Sequence, residues 1–530
     1  MKKLSLFRFI VVFLLIFNVS TLYADEMDDG FGDESTSESD DFGEDAFGDE
    51  ESSDTTSSSS EDSSSSTDEG FEDDSGSSDD DGFEDDSSSS GDDAFSDEGG
   101  SDVFDEDSSS SDEASEGDSE EEEEESWLKD FSGKITQQMA LSYSNTKAQD
   151  IYSSLRSTLF INYAHKFENG YAVKLTGRAF YDGKYDSLNG TYTKDQIDNL
   201  RTETEIFEAY VEGSIIDGLD FKIGRQIEVW GRSDTIRVND ILNPVDNRRP
   251  GLLDVEDLRL PRTMAKFDYF IGDWRISPIW IIEDRFTKIP PYFSTYSPFD
   301  YLGGPLPKNK TYDNFGYALS IGLEGSGWDL GLYAAHIRDD FPYVSFITNT
   351  EKLQSIKNPL SLGGIEHNQM DMVGAAFNIV FGSWLFKTEM AYFNTGVLST
   401  EFSRFDLLGG LEFTGFSDIV ISYDVSGRNF FGFDSFVEPF VKLIEIDKIG
   451  VEHAFRISKD WVTATVHTSL LMFLYGTGFD EGGFRRVAVK YDLADGISAN
   501  LSLIDYIKGS VVFDQVQDEY IIASDISYTF

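Results

Sequence analysis

The sequence predicts an all-β protein, a transmembrane antiparallel β-barrel of about 18 strands, preceded by a signal peptide and a disordered acidic, serine-rich segment. Three observations predict it. The chain ends on an amphipathic strand with an aromatic last residue, tight turns alternate with long connections from residue 127 onward, and the N-terminus reads as a secretory leader.

The last eleven residues, 520–530, read YIIASDISYTF. Tyr520, Ile522, Ser524, Ile526, Tyr528 and Phe530 share one parity, and Ile521, Ala523, Asp525, Ser527 and Thr529 share the other. A strand alternates its side chains between two faces, so one face is largely apolar and aromatic and the other largely polar. An aromatic residue at the strand end suits a membrane interface. This segment resembles the C-terminal strand by which barrel-insertion machinery recognises outer-membrane barrels, which makes that machinery and outer-membrane lipid the expected partners.

At the other end, Lys2, Lys3 and Arg8 precede the apolar run Phe9 to Phe17, and Ser20 to Ala24 offers a small residue at the cut. Residues 1–24 are therefore read as a signal peptide, too short in their apolar run for a permanent anchor. The chain has no cysteine, which excludes disulfides and cysteine lipidation. No later apolar run approaches twenty residues, so a membrane location requires a closed barrel, in which every backbone polar group is satisfied.

Composition divides the mature chain. Residues 25–126 hold 46 Asp or Glu and no Lys or Arg, whereas residues 127–530 hold 54 acidic and 38 basic residues. A segment so charged and so poor in apolar side chains cannot offset its conformational entropy, and it is expected to be a disordered periplasmic arm. Phe71, Phe83 and Phe95 recur within it at a spacing of twelve among acidic residues. The repeat reads as a solvated spacer, or as a set of weak docking points for a periplasmic protein partner. The negative balance argues against nucleic acid.

From Trp127 to Phe530 the barrel elements follow in order. A first strand is expected near 135–143. Tight-turn signals then fall at Glu168 to Gly170, Asp217-Gly218, Gly272-Asp273, Gly325 to Gly327, Gly382-Ser383, Gly415 to Asp418, Lys459-Asp460 and Asp495-Gly496. Long connections lie between them, notably 231–262, 284–312, 339–368 and 429–446. Short turns on one rim and long loops on the other are the barrel pattern, the short side being periplasmic. Eight hairpins with a first and a last strand give about 18 strands, and an even number returns both termini to one side. Aromatic residues at strand ends, among them Tyr143, Tyr163, Tyr171, Tyr181, Trp230, Tyr269, Trp274, Trp328, Trp384 and Trp461, are read as interface girdles.

The inward parity carries function. Lys174, Thr176 and Arg178 face the lumen opposite Val173, Leu175 and Ala179, and Arg156, Asn162 and Lys166 do so on the preceding strand. These cations either attract anions through a wide channel or pair with Glu205, Glu208 and Glu212. The stretch Gly224 to Pro261 sets Arg225, Arg232, Arg237, Arg248, Arg249 and Arg259 among seven carboxylates, with Pro244, Pro250 and Pro261. That density predicts a rigid, ion-paired loop, and a rigid loop folded inward is a constriction. The candidate lining is Arg156, Lys174, Arg178, Arg225, Gln226, Trp230, Arg232, Asn243, Asp246, Arg248 and Arg249.

Gly224-Arg225-Gln226, Trp230-Gly231 and the NPVD run containing Asn243, Pro244 and Asp246 resemble an outer-membrane, porin-like barrel family related in style to alginate-export porins. The continuation 259–274 fits as well, and the resemblance covers about residues 130–530, leaving out the acidic arm. It implies passage of a solute across the outer membrane, and genes of that family often accompany RND-type exporters of hydrophobic molecules. Two expectations follow: a porin-like channel for small or hydrophobic solutes, or the outer-membrane component of an export assembly whose acidic arm recruits periplasmic partners. An enzyme is not expected. The five histidines, His165, His336, His367, His453 and His467, show neither a nucleophile motif nor metal-ligand spacing, and no cofactor or metal site is read.

Overall fold

In a computed structural model, the described residues are 129–143, 152–187, 192–253, 255–291, 310–312, 315–340, 343–344, 365–397, 400–431, 448–509, 513, 516 and 519–530. Residues 1–24 and 25–126, read above as a signal peptide and an acidic arm, lie outside them.

Eighteen strands form one sheet that closes on itself. In chain order they are β1 Phe131–Tyr143, β2 Tyr152–Lys166, β3 Ala172–Asp182, β4 Thr202–Ile216, β5 Leu219–Gln226 and β6 Arg262–Ile271. There follow β7 Trp274–Ile281, β8 Gly316–Gly325, β9 Trp328–Arg338, β10 Gln369–Phe381, β11 Trp384–Val397 and β12 Thr400–Phe416. The last six are β13 Ile419–Phe431, β14 Ile449–Trp461, β15 Val466–Tyr475, β16 Gly483–Ala494, β17 Ile497–Ile507 and β18 Tyr520–Thr529. Each strand pairs antiparallel with the next, and β18 pairs with β1 from Lys134↔Thr529 to Tyr143↔Tyr520. Closure leaves no free edge, as a barrel in lipid requires. Among the described residues no helix is long and apolar enough to cross a membrane.

Pleating explains the two faces. On β18 Tyr520, Ile522, Ile526 and Phe530 are exposed, whereas Ile521, Ala523 and Ser527 are buried, so the even parity faces outward as the sequence predicts. Around the barrel Leu175, Val211, Leu332, Val373, Leu407, Val489 and Leu503 extend this apolar outer belt. At the tight-turn rim Trp274, Trp328 and Trp384 open β7, β9 and β11, and Trp461 closes β14. All four are partly exposed, as an interfacial girdle requires.

Seven predicted tight turns stand where the sequence places them. The eighth does not: β14 runs through Lys459 and Asp460 to Trp461, and the chain reverses over 462–465, with Val462, Thr463 and Ala464 at φ 52°, 55° and 59°. Three consecutive non-glycine residues in the left-handed region are uncommon, so the turn carries no Gly, Asn or Asp signal. The first strand begins at Phe131, four residues before its predicted start. Trp230 is no girdle residue either. It is buried inside the barrel, on the long-loop side of β5.

Candidate functional site: the loop inside the barrel

Between β5 and β6 the chain leaves the wall and folds into the lumen over residues 227–261. Gly224 makes the departure possible: at φ 137°, a Cβ there would lie 2.2 Å from the Ala209 carbonyl oxygen. Gln226 is fully buried and ties the two wall strands together, its amide donating to the carbonyls of Lys222 and Met264 at 3.1 Å each. Asn243 then staples the loop's two limbs. Its Oδ1 accepts from the Glu228 N–H at 2.8 Å and its Nδ2 donates to the Leu260 carbonyl at 2.9 Å. Only a side chain that both donates and accepts can do this. Asp240 is a second staple, taking Arg237 Nε at 3.1 Å and Arg259 Nε at 2.9 Å.

The first half of the loop, 229–242, packs on the inward faces of β6 to β13. Trp230 stacks on Tyr333 with centroids 4.9 Å apart, and Ile236, Val238 and Leu242 join a cluster with Met264, Ile281, Ile337, Met372 and Phe393. The wall here is apolar because it carries a core of soluble-protein type. One buried carboxylate sets the loop's position. Glu389 of β11 accepts from the backbone N–H groups of Arg232 (2.6 Å), Ser233 (2.9 Å) and Asn239 (3.1 Å), and from Asn239 Nδ2 (2.9 Å). On β13, Asp424 Oδ2 accepts from Ser233 Oγ and Thr235 Oγ1 at 2.6 Å each. Arg232 pairs with Asp329, and Lys387 with Asp234 at 2.9 Å.

The second half, 244–260, reaches the other side of the lumen. Arg248 pairs with Asp246 and, at 3.0 Å, with Glu203 of β4. Arg249 Nη1 donates to Gln138 of β1 at 2.9 Å and to Ser154 of β2 at 3.1 Å. The Tyr506 hydroxyl of β17 donates to the Pro250 carbonyl at 2.6 Å, and Leu252 packs with Ile504, Tyr506 and Ile521. Burial raises the Asp246 carboxyl, but the Arg248 guanidinium and its hydrogen bonds outweigh it and hold the group well below the usual carboxylate range. Burial lowers Arg248, and its pairing with Asp246 and Glu203 lifts it above its ordinary value. Lys288, whose backbone forms a β-bridge with that of Asp246 and whose ammonium lies 2.6 Å from Glu203, is pushed down to about 8 by burial and by Arg248, against the pull of its carboxylate neighbours.

The cationic rungs of the wall are matched. Lys174 lies 2.9 Å from Glu208, Lys222 3.8 Å from Glu212, and Arg178 pairs with Glu205 and, at 3.2 Å, Glu203. Arg225 meets Glu283 at 3.1 Å, and Arg285 meets Glu205 at 2.6 Å. Pairing therefore prevails over bare positive rungs on β3 to β5. Arg156 is inward and buried, 3.7 Å from Asp182.

The structure thus gathers Arg225, Gln226, Trp230, Arg232, Asn243, Asp246, Arg248 and Arg249 in or beside one inward loop, with Arg156 and Arg178 on the wall next to its second half, and Lys174 further along β3, paired with Glu208. Gln226 and Asn243 serve as staples within it, and Trp230 is its apolar anchor. Sequence reading did not single out Glu389, Asp424, Asp329, Lys288 or Gly374. Parity placed the strand residues inward, but nothing local says which loop atoms they meet more than a hundred residues away. The histidines stay apart. His453 is in register with Leu474 and His467 with Asp460, at opposite ends of the β14–β15 hairpin. Among the described residues no cluster of His, Cys, Asp or Glu is arranged to hold a metal.

A closed eighteen-stranded antiparallel barrel with an apolar outer belt, a tryptophan rim and a loop folded into its interior is a porin-like transmembrane β-barrel. The chain belongs to the family described as protein of unknown function (DUF1302), whose model matches residues 106–513. None of the curated proteins matches the chain in sequence. Among solved structures it is similar to OpdK of Pseudomonas aeruginosa with vanillate, at 9% identity and a TM-score of 0.45, over 76% of this chain and 99% of that one. OccAB3 of Acinetobacter baumannii matches over the same shares at 11% identity and a TM-score of 0.43. The loop L8 deletion mutant of OmpT from Vibrio cholerae does so at 10% identity and 0.35.

Proposed function

We propose that the protein is an outer-membrane channel in which the loop 227–261 sets the constriction, and that small or hydrophobic solutes pass beside it. The observation that carries this reading is the loop's span: one connection is tied to Glu389 and Asp424 on one part of the wall and to Gln138, Ser154 and Tyr506 on another. A barrel of this strand number is wide enough for water, and a loop held across it narrows the way through. The tight-turn rim, which also holds both ends of the barrel domain, is assigned to the periplasm. The work of the site is passage rather than catalysis, since its charged groups pair with one another and with backbone.

Planar-bilayer recordings of the full chain test the reading, beside a variant in which a short Gly-Ser link replaces residues 229–258. Open-channel steps in the full chain and severalfold larger ones in the variant are expected. A folded barrel silent in both forms would overturn the channel and point to the export assembly, with residues 25–126 recruiting periplasmic components.

A further inference from the structure

We propose that Arg156 and Arg248, gathered on the ring of Phe180 beside the loop, form an anion subsite that takes a small organic monocarboxylate. The guanidinium carbons of Arg156 and Arg248 lie 3.9 Å and 5.5 Å from the centroid of that one ring. Two like charges over a single buried ring repel and require negative charge nearby. Arg248 has it, in Asp246 and Glu203. Arg156 does not have it on good terms. Its nearest carboxylate, Asp182, stands 3.7 Å from Nε, beyond hydrogen-bond reach. Asp182 is occupied elsewhere: Oδ2 accepts from Ser154 Oγ at 2.8 Å, and Oδ1 accepts from the N–H groups of Leu155 at 2.9 Å and Lys184 at 3.2 Å.

Arg156 Nε is consequently buried with no acceptor, in a side chain 10% exposed. Arg178 Nε and Arg225 Nε also lack an acceptor, but their guanidinium groups each meet a carboxylate within 3.2 Å through a terminal nitrogen, as the Lys174 ammonium does. Arg156 has no carboxylate that close, and Lys222 has its own at 3.8 Å. A buried guanidinium with an unsatisfied edge is completed by a planar two-oxygen anion, which its donor fork engages in parallel hydrogen bonds. One poorly compensated cation matches a single negative charge, and the Phe180 ring beside it favours an anion with an apolar body. Below this level the paired rungs Lys174–Glu208 and Lys222–Glu212 offer weaker attraction, as release requires.

The subsite rests on the channel reading for its route of access, but its binding is measured separately. Sodium benzoate titrated calorimetrically into the full chain in detergent should bind saturably. Arg156→Gln should weaken binding at least tenfold, Arg156→Lys should retain part of it, and Arg404→Gln on the far wall should leave it unchanged. Heat-modifiable gel mobility identifies which variants are folded. Unchanged benzoate binding in folded Arg156→Gln, or no saturable binding by the parent protein, overturns the subsite. Inorganic phosphate binding where benzoate does not would overturn the carboxylate assignment. A barrel that conducts without Arg156-dependent binding sinks the subsite alone, and a silent barrel that binds benzoate through Arg156 sinks the channel alone.

Discussion

Individual side chains hold the loop by filling positions where nothing else fits. Glu389 is the clearest, because four N–H groups of the loop converge on it. Replacing it with Leu strands those donors in a dry site, at about 1–3 kcal/mol for each donor left unsatisfied. The loop should then undock from β11, giving a red shift of Trp230 emission, read as the difference from a Trp230→Phe background, and faster proteolysis within 229–242. Unchanged emission would mean that the apolar contacts suffice. Lys288 supplies a pH response of known sign. Its pKa of about 8 lies below the ordinary 10.5, so the folded protein releases this proton first as pH rises. The unfolded chain keeps it longer, so folding is favoured more strongly as pH climbs from about 8 toward 10.5. The lumen loses one positive charge across pH 7 to 9, beside Glu203 and Glu205 of β4 and Asp246 and Arg248 of the loop. Reversal potentials in a salt gradient should move toward cation preference over that range, and Lys288→Met should abolish the step.

Elements show why some of this could be read in advance and some could not. Seven hairpin turns carry Gly, Asn or Asp signals, and strand parity follows from the pleat, so strand number and inward faces were legible. The reversal at 462–465 was hidden because its residues are Val, Thr, Ala and Thr, held in an unusual conformation by the strands on either side. Trp230 was misplaced for a related reason: a tryptophan just past a strand end looks the same whether it meets lipid or turns inward onto Tyr333. The fit between loop and wall leaves a trace in glycine. A Cβ on Gly374 of β10 would lie 2.0 Å from Asn239 Oδ1, so that position is empty in order to seat the loop. Gly374→Val should lift the loop from the wall and raise single-channel conductance. Gly409→Val, where nothing lies within 4 Å of the added carbon, should not.

The whole barrel depends on joining its two ends, and here fold and assembly meet. β1 and β18 pair over ten residues, and the Phe530 N–H and carbonyl exchange bonds with Gly133 at 2.9 Å each. The Phe530 ring also covers Gly133, where a Cβ would come within 2.5 Å of it. The terminal aromatic residue is therefore part of the seam as well as the signal that insertion machinery is proposed to read. The two roles separate experimentally. Phe530→Ala removes both ring and signal, whereas Gly133→Leu leaves the last strand's sequence intact and crowds the seam, displacing the ring and pressing on the Phe160 carbonyl of β2, 2.9 Å from the added carbon. If the ring matters for closure, both variants should show a lower folded fraction on refolding into vesicles, measured by heat-modifiable mobility. If it matters only as a signal, both should refold in vitro like the parent, and Phe530→Ala alone should fail to reach the outer membrane in cells. A closed sheet has no spare edge to absorb a mismatch, so we expect closure to matter, with Gly133→Leu impaired in vesicles and in cells alike.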